Sequence, residues 1–236
     1  MRPYPPDIQS LFQAQDIIYG YVDQWQRSLT DLACRKGCSI CCTDRVTVTQ
    51  AEAARILMHF PSEERPSAFM ETGVPSPCTT NEFALICMLG KEEAPADFPE
   101  NPGACPYLSE KKECTVYPVR PLMCRLYISR VPCLVKGEAT IPDRIFLMQI
   151  ILQQLMEHLS RGTRWGNLIT MLKFCRHVEA NAFEDLRICK EIPAFPITTE
   201  EKNWLTPQLN PLFDSLKSGG WLQETFSLNF GGRGCR

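Results

Sequence analysis

The sequence predicts a mainly α-helical chain with a small β-hairpin, in which a cysteine-rich metal-binding module packs against a helical C-terminal region. Apolar residues recur at helical spacing near the N-terminus and again beyond Pro142. Cysteines are concentrated in two short segments, and proline interrupts residues 61–104 repeatedly. We expect residues 1–135 to form the cysteine-rich module and residues 136–236 the helical region, packed together as one unit.

The N-terminal elements are a helix and a short extended run. Over residues 7–32 the apolar side chains recur at steps of three, four or seven, and Asp7 is suited to the N-cap position. Val46-Thr47-Val48 has β-type composition. Thr49 and Glu52 then form a capping-box pattern, which predicts a helix from about residue 50 to residue 59.

The second cysteine segment has hairpin character. The β-favouring runs at residues 105–108 and 114–117 are joined by a charged turn, so pairing them would bring Cys105 close to Cys114. Pro121 is placed to open a helical turn that carries Cys124 and Arg125.

Beyond Pro142 the pattern predicts helices. One helix has a continuous apolar stripe from Ile145 to Leu159, and we expect its polar residues to face away from the core: Gln149, Gln153, Gln154 and Glu157. A second helix over residues 165–180 would pair with it as an antiparallel hairpin. Further short helices are expected at residues 199–204, capped by Thr199 and ended by Pro207, and at residues 211–216.

Composition excludes several classes of partner. The apolar fraction of 44% is ample for a core, and the net charge of −2 gives no general attraction to nucleic acid or acidic lipid. The N-terminus lacks the apolar run of a secretory signal. The most apolar stretch, residues 145–156, is too short and too polar to span a bilayer. We therefore expect a soluble cytoplasmic protein that binds neither membrane nor nucleic acid.

Seven cysteines form the candidate metal site. Four have the spacing C-x3-C-x2-C-C, and three follow in the second segment: Cys34, Cys38, Cys41, Cys42, Cys105, Cys114 and Cys124. Soft thiolates select zinc, copper(I) or iron–sulfur clusters. The alternative is a disulfide framework, which an odd count of 13 cysteines and the absence of an export signal disfavour.

The ligand set and the metal stay open at this point. Cys34, Cys38, Cys41 and Cys124 are the first choices, with the other three completing or lining a second centre. Cys133 is close enough to Cys124 in sequence to join a site. Because seven thiols exceed the four ligands of one zinc ion, we favour an iron–sulfur cluster over zinc.

Cations flank these thiols. Arg35, Lys36, Arg120 and Arg125 would moderate the negative charge of a metal–thiolate centre. Arg120 and Arg125 are also the candidate cofactor-binding residues, because an anionic substrate or a cofactor carboxylate could dock there.

The ordered motifs resemble a known family. The first cluster ends in Cys41-Cys42, and it is followed by Cys-Pro-Tyr-Leu, by Cys-Thr-Val-Tyr and by Arg-Pro-Leu-Met-Cys-Arg at residues 120–125. This order resembles the family described as a putative zinc- or iron-chelating domain, over roughly residues 30–130. The resemblance implies a metal bound by the seven cysteines, without defining a reaction. A related group, the flagellin lysine methylases, shares the cysteine module.

Three functions are consistent with these observations. The first is a metal-binding protein that holds an iron–sulfur cluster or zinc. The second is an S-adenosylmethionine-dependent protein lysine methyltransferase, although no G-x-G-x-x-G loop follows a strand. The third is a structural zinc module whose helical region binds a protein partner. Elemental analysis with visible absorption would separate them, since an iron–sulfur protein is coloured and a zinc protein is not.

Overall fold

The computed structural model of the protein describes residues 7–35, 37–59, 76–91, 102–176, 183 and 185–228. The described chain is mainly helical with a small antiparallel sheet, so the predicted fold class is confirmed. The helices are α1 (Ile8–Ser28), α2 (Gln50–His59), α3 (Thr80–Met88), α4 (Leu122–Leu126), α5 (Cys133–Lys136), α6 (Asp143–Leu159), α7 (Leu168–Cys175) and α8 (Thr199–Ser218). The strands are β1 (Thr47–Thr49), β2 (Arg164–Asn167) and β3 (Arg187–Ile188).

The sheet is built around β2, which pairs antiparallel with β1 on one side and with β3 on the other. The prediction of β structure at residues 46–48 is confirmed, but the helix expected from residue 165 begins three residues later. The Asn167 side chain explains this boundary, because it accepts the backbone N–H of Ile169 at 3.0 Å and caps α7. Residues 177–180 of the expected helix lie outside the described part of the chain.

Apolar side chains gather in two buried clusters. The first lies between α1, α4, α6 and α8 and includes the fully buried Ile18, Leu152 and Leu205. The second lies between β1, α2, α7 and the cysteine segments, with Ile56 and Met171 at its centre. The cysteine segments are therefore packed on a core of their own. The division of the chain after residue 135 stays a prediction.

The expectation that α6 has a solvent-facing polar side is wrong for three of its four residues. Gln153 is half-buried, but Gln149, Gln154 and Glu157 are buried, and each has partners. Gln154 donates to the side chain of Asn81 at 3.1 Å and to the carbonyl of Ala194 at 3.1 Å. Glu157 accepts the backbone N–H groups of Asn81 (2.8 Å) and Lys190 (2.9 Å). Helix α3 and the segment after β3 cover Gln154 and Glu157, whose hydrogen bonds are made to neighbouring protein groups, while the Oε1 atom of Gln154 is buried without a partner.

Two further predictions about the helices are wrong. Helix α7 packs against α2, whereas α6 packs against α1, α3 and α4, so these two helices do not form the expected hairpin. Helix α8 is continuous through Pro207 and Pro211, and Thr198 caps it in place of Thr199. An interior proline costs about 3 kcal/mol, but each buried leucine contributes about 1.5–3 kcal/mol. Four leucines of α8 are buried, which offsets both prolines: Leu205, Leu209, Leu212 and Leu216.

No helix within the described residues is long and apolar enough to cross a membrane.

Candidate metal centre

Backbone hydrogen bonds join the two cysteine segments directly. The N–H of Cys105 donates to the carbonyl of Cys42 at 3.0 Å, and the N–H of Asp44 donates to Gly103 at 3.0 Å. Thr43 and Ala104 form an antiparallel bridge between them. Although about sixty residues separate them in sequence, Cys42 and Cys105 therefore lie side by side.

The second segment turns back on itself as predicted. Leu108 and Cys114 form an antiparallel bridge, and Thr115 N–H donates to the carbonyl of Tyr107 at 2.9 Å. This hairpin is an isolated bridge, without regular strands on either side. It nevertheless brings Cys114 back towards Cys105, as the spacing of the two runs indicated.

A buried carboxylate positions the helix that carries Cys124. Glu52 accepts the N–H of Leu122, in the first turn of α4, at 2.7 Å and the hydroxyl of Tyr19 at 3.1 Å. Its other oxygen accepts the N–H and the hydroxyl of Thr49 at 2.9 and 3.0 Å. The predicted capping box is thus confirmed. The same carboxylate also ties α1, α2 and α4 together, which the sequence pattern did not indicate.

Four thiols, one from the first cysteine segment and three from the second, form the first group, which we call the inner thiols: Cys42, Cys105, Cys114 and Cys124. The charge on Cys42 interacts with the other three. Burial raises the pKa of Cys105 to about 11, and burial together with Cys105 and Cys114 raises the pKa of Cys124 strongly. Buried neighbouring thiols cannot all ionise unless a cation compensates them, which is the condition for metal binding.

Backbone amides face the sulfurs of this group. Burial raises the pKa values of Cys105 and Cys114, and this increase is opposed by the N–H of Tyr107, which donates to Cys105, and by the N–H of Val116, which donates to Cys114. Such bonds stabilise thiolates and tune bound metals. Amide donors directed at a sulfur atom are expected for a thiolate ligand rather than for a protonated thiol that serves only as an apolar packing residue.

A second group, the outer thiols, consists of Cys34, Cys38, Cys41 and Cys133. Cys34 accepts the N–H of Ser129 at 3.2 Å, and its charge interacts with Cys38, Cys41 and Cys133. Cys41 connects the groups: its thiol donates to Cys42, which lowers the pKa of Cys42 and raises that of Cys41.

All seven predicted cysteines thus belong to one continuous set of neighbouring thiols, with Cys133 as an eighth member. In the described residues, however, no three histidine, cysteine or carboxylate side chains already stand in a position to hold a metal ion. Ligation of a metal by these seven cysteines therefore stays a prediction. As donors they are all soft sulfur atoms, which fits zinc or iron.

Two other described cysteines, Cys175 and Cys189, belong to neither thiol group. Cys175 and Cys189 are buried thiols, and burial raises the pKa of Cys175 to about 12. Cys87 is disulfide-bonded. The eight cysteines of the inner and outer thiol groups form no disulfide, so the disulfide framework weighed as an alternative is not the organising principle of this region.

The two candidate cofactor-binding arginines differ in how they are engaged. Arg125 is buried, and its guanidinium donates to Asp23 (3.1 Å), to the carbonyl of Pro118 (2.8 Å) and to that of Arg120 (3.1 Å). The guanidinium of Arg120 stacks on the Tyr117 ring at 3.9 Å, and its Nε is buried without a hydrogen-bond partner.

The hydrogen bond with Cys42 raises the pKa of Cys41 and burial raises the pKa of Cys114, and the charge of Arg120, which lies near these thiols, opposes both increases. The role of Arg120 as a cofactor ligand and that of Arg125 stay predictions. Lys36, the other cation expected beside the first cluster, lies outside the described residues.

Beside Arg120 the surface forms a cleft of about 390 Å³. Its lining contains three arginines and one carboxylate: Asp23, Gln26, Arg27, Tyr117, Pro118, Arg120 and Arg125. The cleft can admit a small anionic group close to the inner thiols.

The comparison with family models matches residues 33–141 to the CxxCxxCC family, described as "Putative zinc- or iron-chelating domain". The match covers 109 of the 236 residues and shows what this part of the chain is similar to. The match confirms the resemblance drawn from the motifs, and its bounds include Cys133 as well as the seven predicted ligands. In this chain the first gap of the motif is three residues long, between Cys34 and Cys38. The comparisons with curated proteins and with solved structures gave no match.

Three residues that organise the chelating domain were not identified from the sequence as site residues. Glu52 was assigned only as a capping residue, and Ser129 carries no sequence signal because isolated serines are common. Cys133 was noted for its proximity to Cys124 in sequence, but it lies beside Cys34 and Cys38 instead. A sequence signal that could have identified Cys133 as a site residue is a short helical turn whose first residue is a cysteine.

Proposed function

We propose that this protein binds metal at a centre formed by the four inner thiols. The observation that carries the proposal is the backbone pairing of Cys42 with Cys105, which places thiols from distant segments next to each other. Four sulfur ligands complete a tetrahedral zinc site or hold one cubane cluster. The ligand set differs from the first choice made on sequence, since Cys124 neighbours Cys105 and Cys114.

The surroundings of the inner thiols support this assignment. Amide donors point at Cys105 and Cys114, and Glu52 fixes the helix that carries Cys124. Arg120 supplies positive charge beside a centre that would carry net negative charge. A ligand set that is already surrounded by its supporting hydrogen bonds loses less entropy when metal binds.

Of the two candidates, a zinc ion and an iron–sulfur cluster, we propose the cluster. The number of neighbouring thiols exceeds the four that one zinc ion uses. Hydrogen bonds to sulfur and a nearby positive charge are also features that set the reduction potential of an iron–sulfur cluster. When bound, a cluster would supply a one-electron redox centre.

The test is elemental analysis and visible absorption of the full-length protein, purified without oxygen. We expect iron and acid-labile sulfide in stoichiometric amounts, and a brown protein. Cys114→Ser should lose the colour, whereas Cys175→Ser should keep it, because Cys175 is a buried thiol of the same core outside the thiol groups. A colourless protein with stoichiometric zinc would replace the cluster by zinc and favour the structural-module alternative. A protein without metal after reconstitution with iron, sulfide or zinc would refute the proposal.

One observation supports the methyltransferase alternative. The cleft beside Arg120 could receive the carboxylate of S-adenosylmethionine, because Arg120 has an unused buried donor. If so, equilibrium dialysis of the metal-loaded protein should detect S-adenosylmethionine binding, and Arg120→Ala should weaken it. Arg161→Ala, whose side chain pairs with Glu191 elsewhere, is the matched control. Equal affinity in all three proteins, or none, would remove this alternative.

A further inference from the structure

The cleft beside Arg120 lies between the C-terminal end of α1 and the chain that leads into α4. Arg125 joins its two sides, because its guanidinium donates to Asp23 at 3.1 Å and its carbonyl accepts the side-chain amide of Gln26. The same guanidinium donates to the carbonyl of Pro118 at 2.8 Å. These bonds fix the walls of the cleft, and its volume of about 390 Å³ is that of a site for a small molecule.

The charges of this cleft are not balanced. Arg125 is paired with Asp23, the carboxylate of the lining, so this carboxylate does not repel an anion. Arg27 and Arg120 also line the cleft, and within the described part of the chain neither guanidinium donates a hydrogen bond or forms an ion pair. Arg120 only stacks on the ring of Tyr117. Two unpaired cations thus line one cleft in a chain whose net charge is −2.

Solvation does not account for both of these cations. Arg27 is exposed in the last turn of α1, where water and the helix dipole can stabilise it. Arg120 differs, because its Nε atom is buried while no described protein group accepts its proton. A buried charged donor without an acceptor is destabilising, and such groups are few in folded proteins. An anion in the cleft would compensate Arg120, and Arg27 would share the same ligand.

We propose that this cleft binds the phosphate group of a small phosphate monoester, held between Arg27 and Arg120. Such a group carries about −1.5 to −2 charges at pH 7, which matches two unpaired guanidinium groups. Its three terminal oxygens can accept bidentate hydrogen bonds from two arginines, whereas a single carboxylate offers two oxygens and one charge. Arg125 is then a wall residue that neutralises Asp23. The lining contains no cysteine, so the inference does not depend on the metal centre.

Isothermal titration calorimetry of the full-length protein with glycerol 3-phosphate tests the assignment, in a phosphate-free buffer of low ionic strength. Arg27→Ala and Arg120→Ala should each weaken the affinity about 10- to 100-fold, because each removes hydrogen bonds between charged groups. Arg27→Lys keeps the charge without the planar fork, so its affinity should lie between those of Arg27→Ala and the unaltered chain. Arg144→Ala is the matched control, since Arg144 also stacks on an aromatic ring, that of Trp204, outside the cleft.

Three further titrations test the class of ligand. Succinate should bind more weakly than glycerol 3-phosphate, and equal affinity would overturn the assignment to phosphate. A peptide that carries phosphoserine should also bind more weakly, because the cleft has the volume of a small-molecule site; tighter binding by the peptide would overturn the small-molecule assignment. S-adenosylmethionine adds a sulfonium and an ammonium group to its carboxylate, so it should not displace glycerol 3-phosphate. Displacement would assign the cleft to the methyltransferase alternative instead.

Metal analysis of the same proteins separates this inference from the proposed function. Arg27 belongs to neither thiol group, so Arg27→Ala should lose affinity for glycerol 3-phosphate and keep the metal content of the unaltered chain. If the unaltered chain does not bind glycerol 3-phosphate, or if both alanine variants bind it as the unaltered chain does, the phosphate site is refuted while the metal centre stands. If the protein binds phosphate but no metal, the proposed function fails and the phosphate site stands.

Discussion

The helical core and the chelating domain are held together by different means. Between α1, α4, α6 and α8, large apolar side chains such as Ile18, Leu152 and Leu205 are fully buried. Around the thiols, a smaller apolar core is supplemented by two isolated bridges, by turns and by hydrogen bonds to sulfur. In the first region long helices bury large apolar side chains, whereas in the second region short turns bring thiols from distant parts of the sequence together.

This difference determines where each region obtains its stability. A buried leucine lowers the free energy of the folded state whether or not a ligand is present. Buried thiols with raised pKa values, such as Cys105 and Cys124, contribute as ligands only when a cation balances their ionised form. The helical core should therefore be stable by itself, whereas the thiol segments should depend on metal.

The largest effect is expected from metal removal. Structural zinc in small modules contributes about 10–16 kcal/mol of apparent binding free energy, which is coupled to folding. Chelation should therefore raise hydrogen exchange strongly at the backbone amides of Cys105 and Thr115, which close the two bridges. Amides in the middle of α6 should keep their protection. Mass spectrometry of exchanged peptides measures both, and equal protection with and without metal would contradict this account.

Leu152→Ala is the opposite perturbation and serves as the control. Its cavity in the first core should cost about 2–5 kcal/mol of global stability. The metal content below the unfolding transition should not change.

The second prediction concerns the carboxylate that joins the two regions. Glu52→Gln replaces an acceptor of four hydrogen bonds by an amide whose NH2 would face the N–H of Thr49 or Leu122. The expected loss is about 1.5–3 kcal/mol in denaturant unfolding, because hydrogen bonds to a charged acceptor are lost. Metal affinity should fall as well, since α4 carries Cys124.

Glu82→Gln is the matched control for this variant. Glu82 forms the same kind of capping box at α3 with Thr79, away from the thiols. It should lose some stability without any change in metal affinity. If Glu52→Gln lowers stability but leaves metal affinity unchanged, Glu52 does not position the site.

Local sequence signals predicted the elements whose causes are local. The capping box at Thr49 and Glu52, the hairpin from Cys105 to Cys114 and the turn opened by Pro121 each depend on residues close together in the chain, and each is present. The grouping of cysteines also identified the chelating domain, because metal-ligand spacing is itself a local pattern.

Features that depend on distant partners could not be predicted in this way. Gln154 and Glu157 look like surface residues in a helical pattern, and they are buried because Asn81, Lys190 and Ala194 reach them from other segments. Strand β2 forms because β1 and β3 are available to pair with it. The division of the thiols into inner and outer groups likewise depends on the pairing of residues 42–44 with residues 103–105.

The smallest effect is a pH dependence of the helical core. Burial lowers the pKa of His158 below its usual value, Arg161 lowers it further, and Glu191 opposes them. The Nδ1 atom of His158 accepts the N–H of Ile192 at 3.3 Å, a bond that needs an unprotonated nitrogen. Between the lowered pKa and about 6.5, the unfolded chain binds more protons than the folded one. Stability should therefore be full above about pH 6.5 and should fall as the pH drops towards the folded-state pKa.

Denaturant unfolding at a series of pH values checks this dependence and its origin. Arg161→Gln should bring the folded-state pKa closer to the usual value and so reduce the loss of stability at low pH, whereas Glu191→Gln should increase the loss. His158→Gln should remove this contribution. Since His158 lies in the helical core, metal content should be the same in all three variants at pH 7.5. If His158→Gln keeps the pH dependence of the unaltered chain, another group is responsible and the assignment to His158 is wrong.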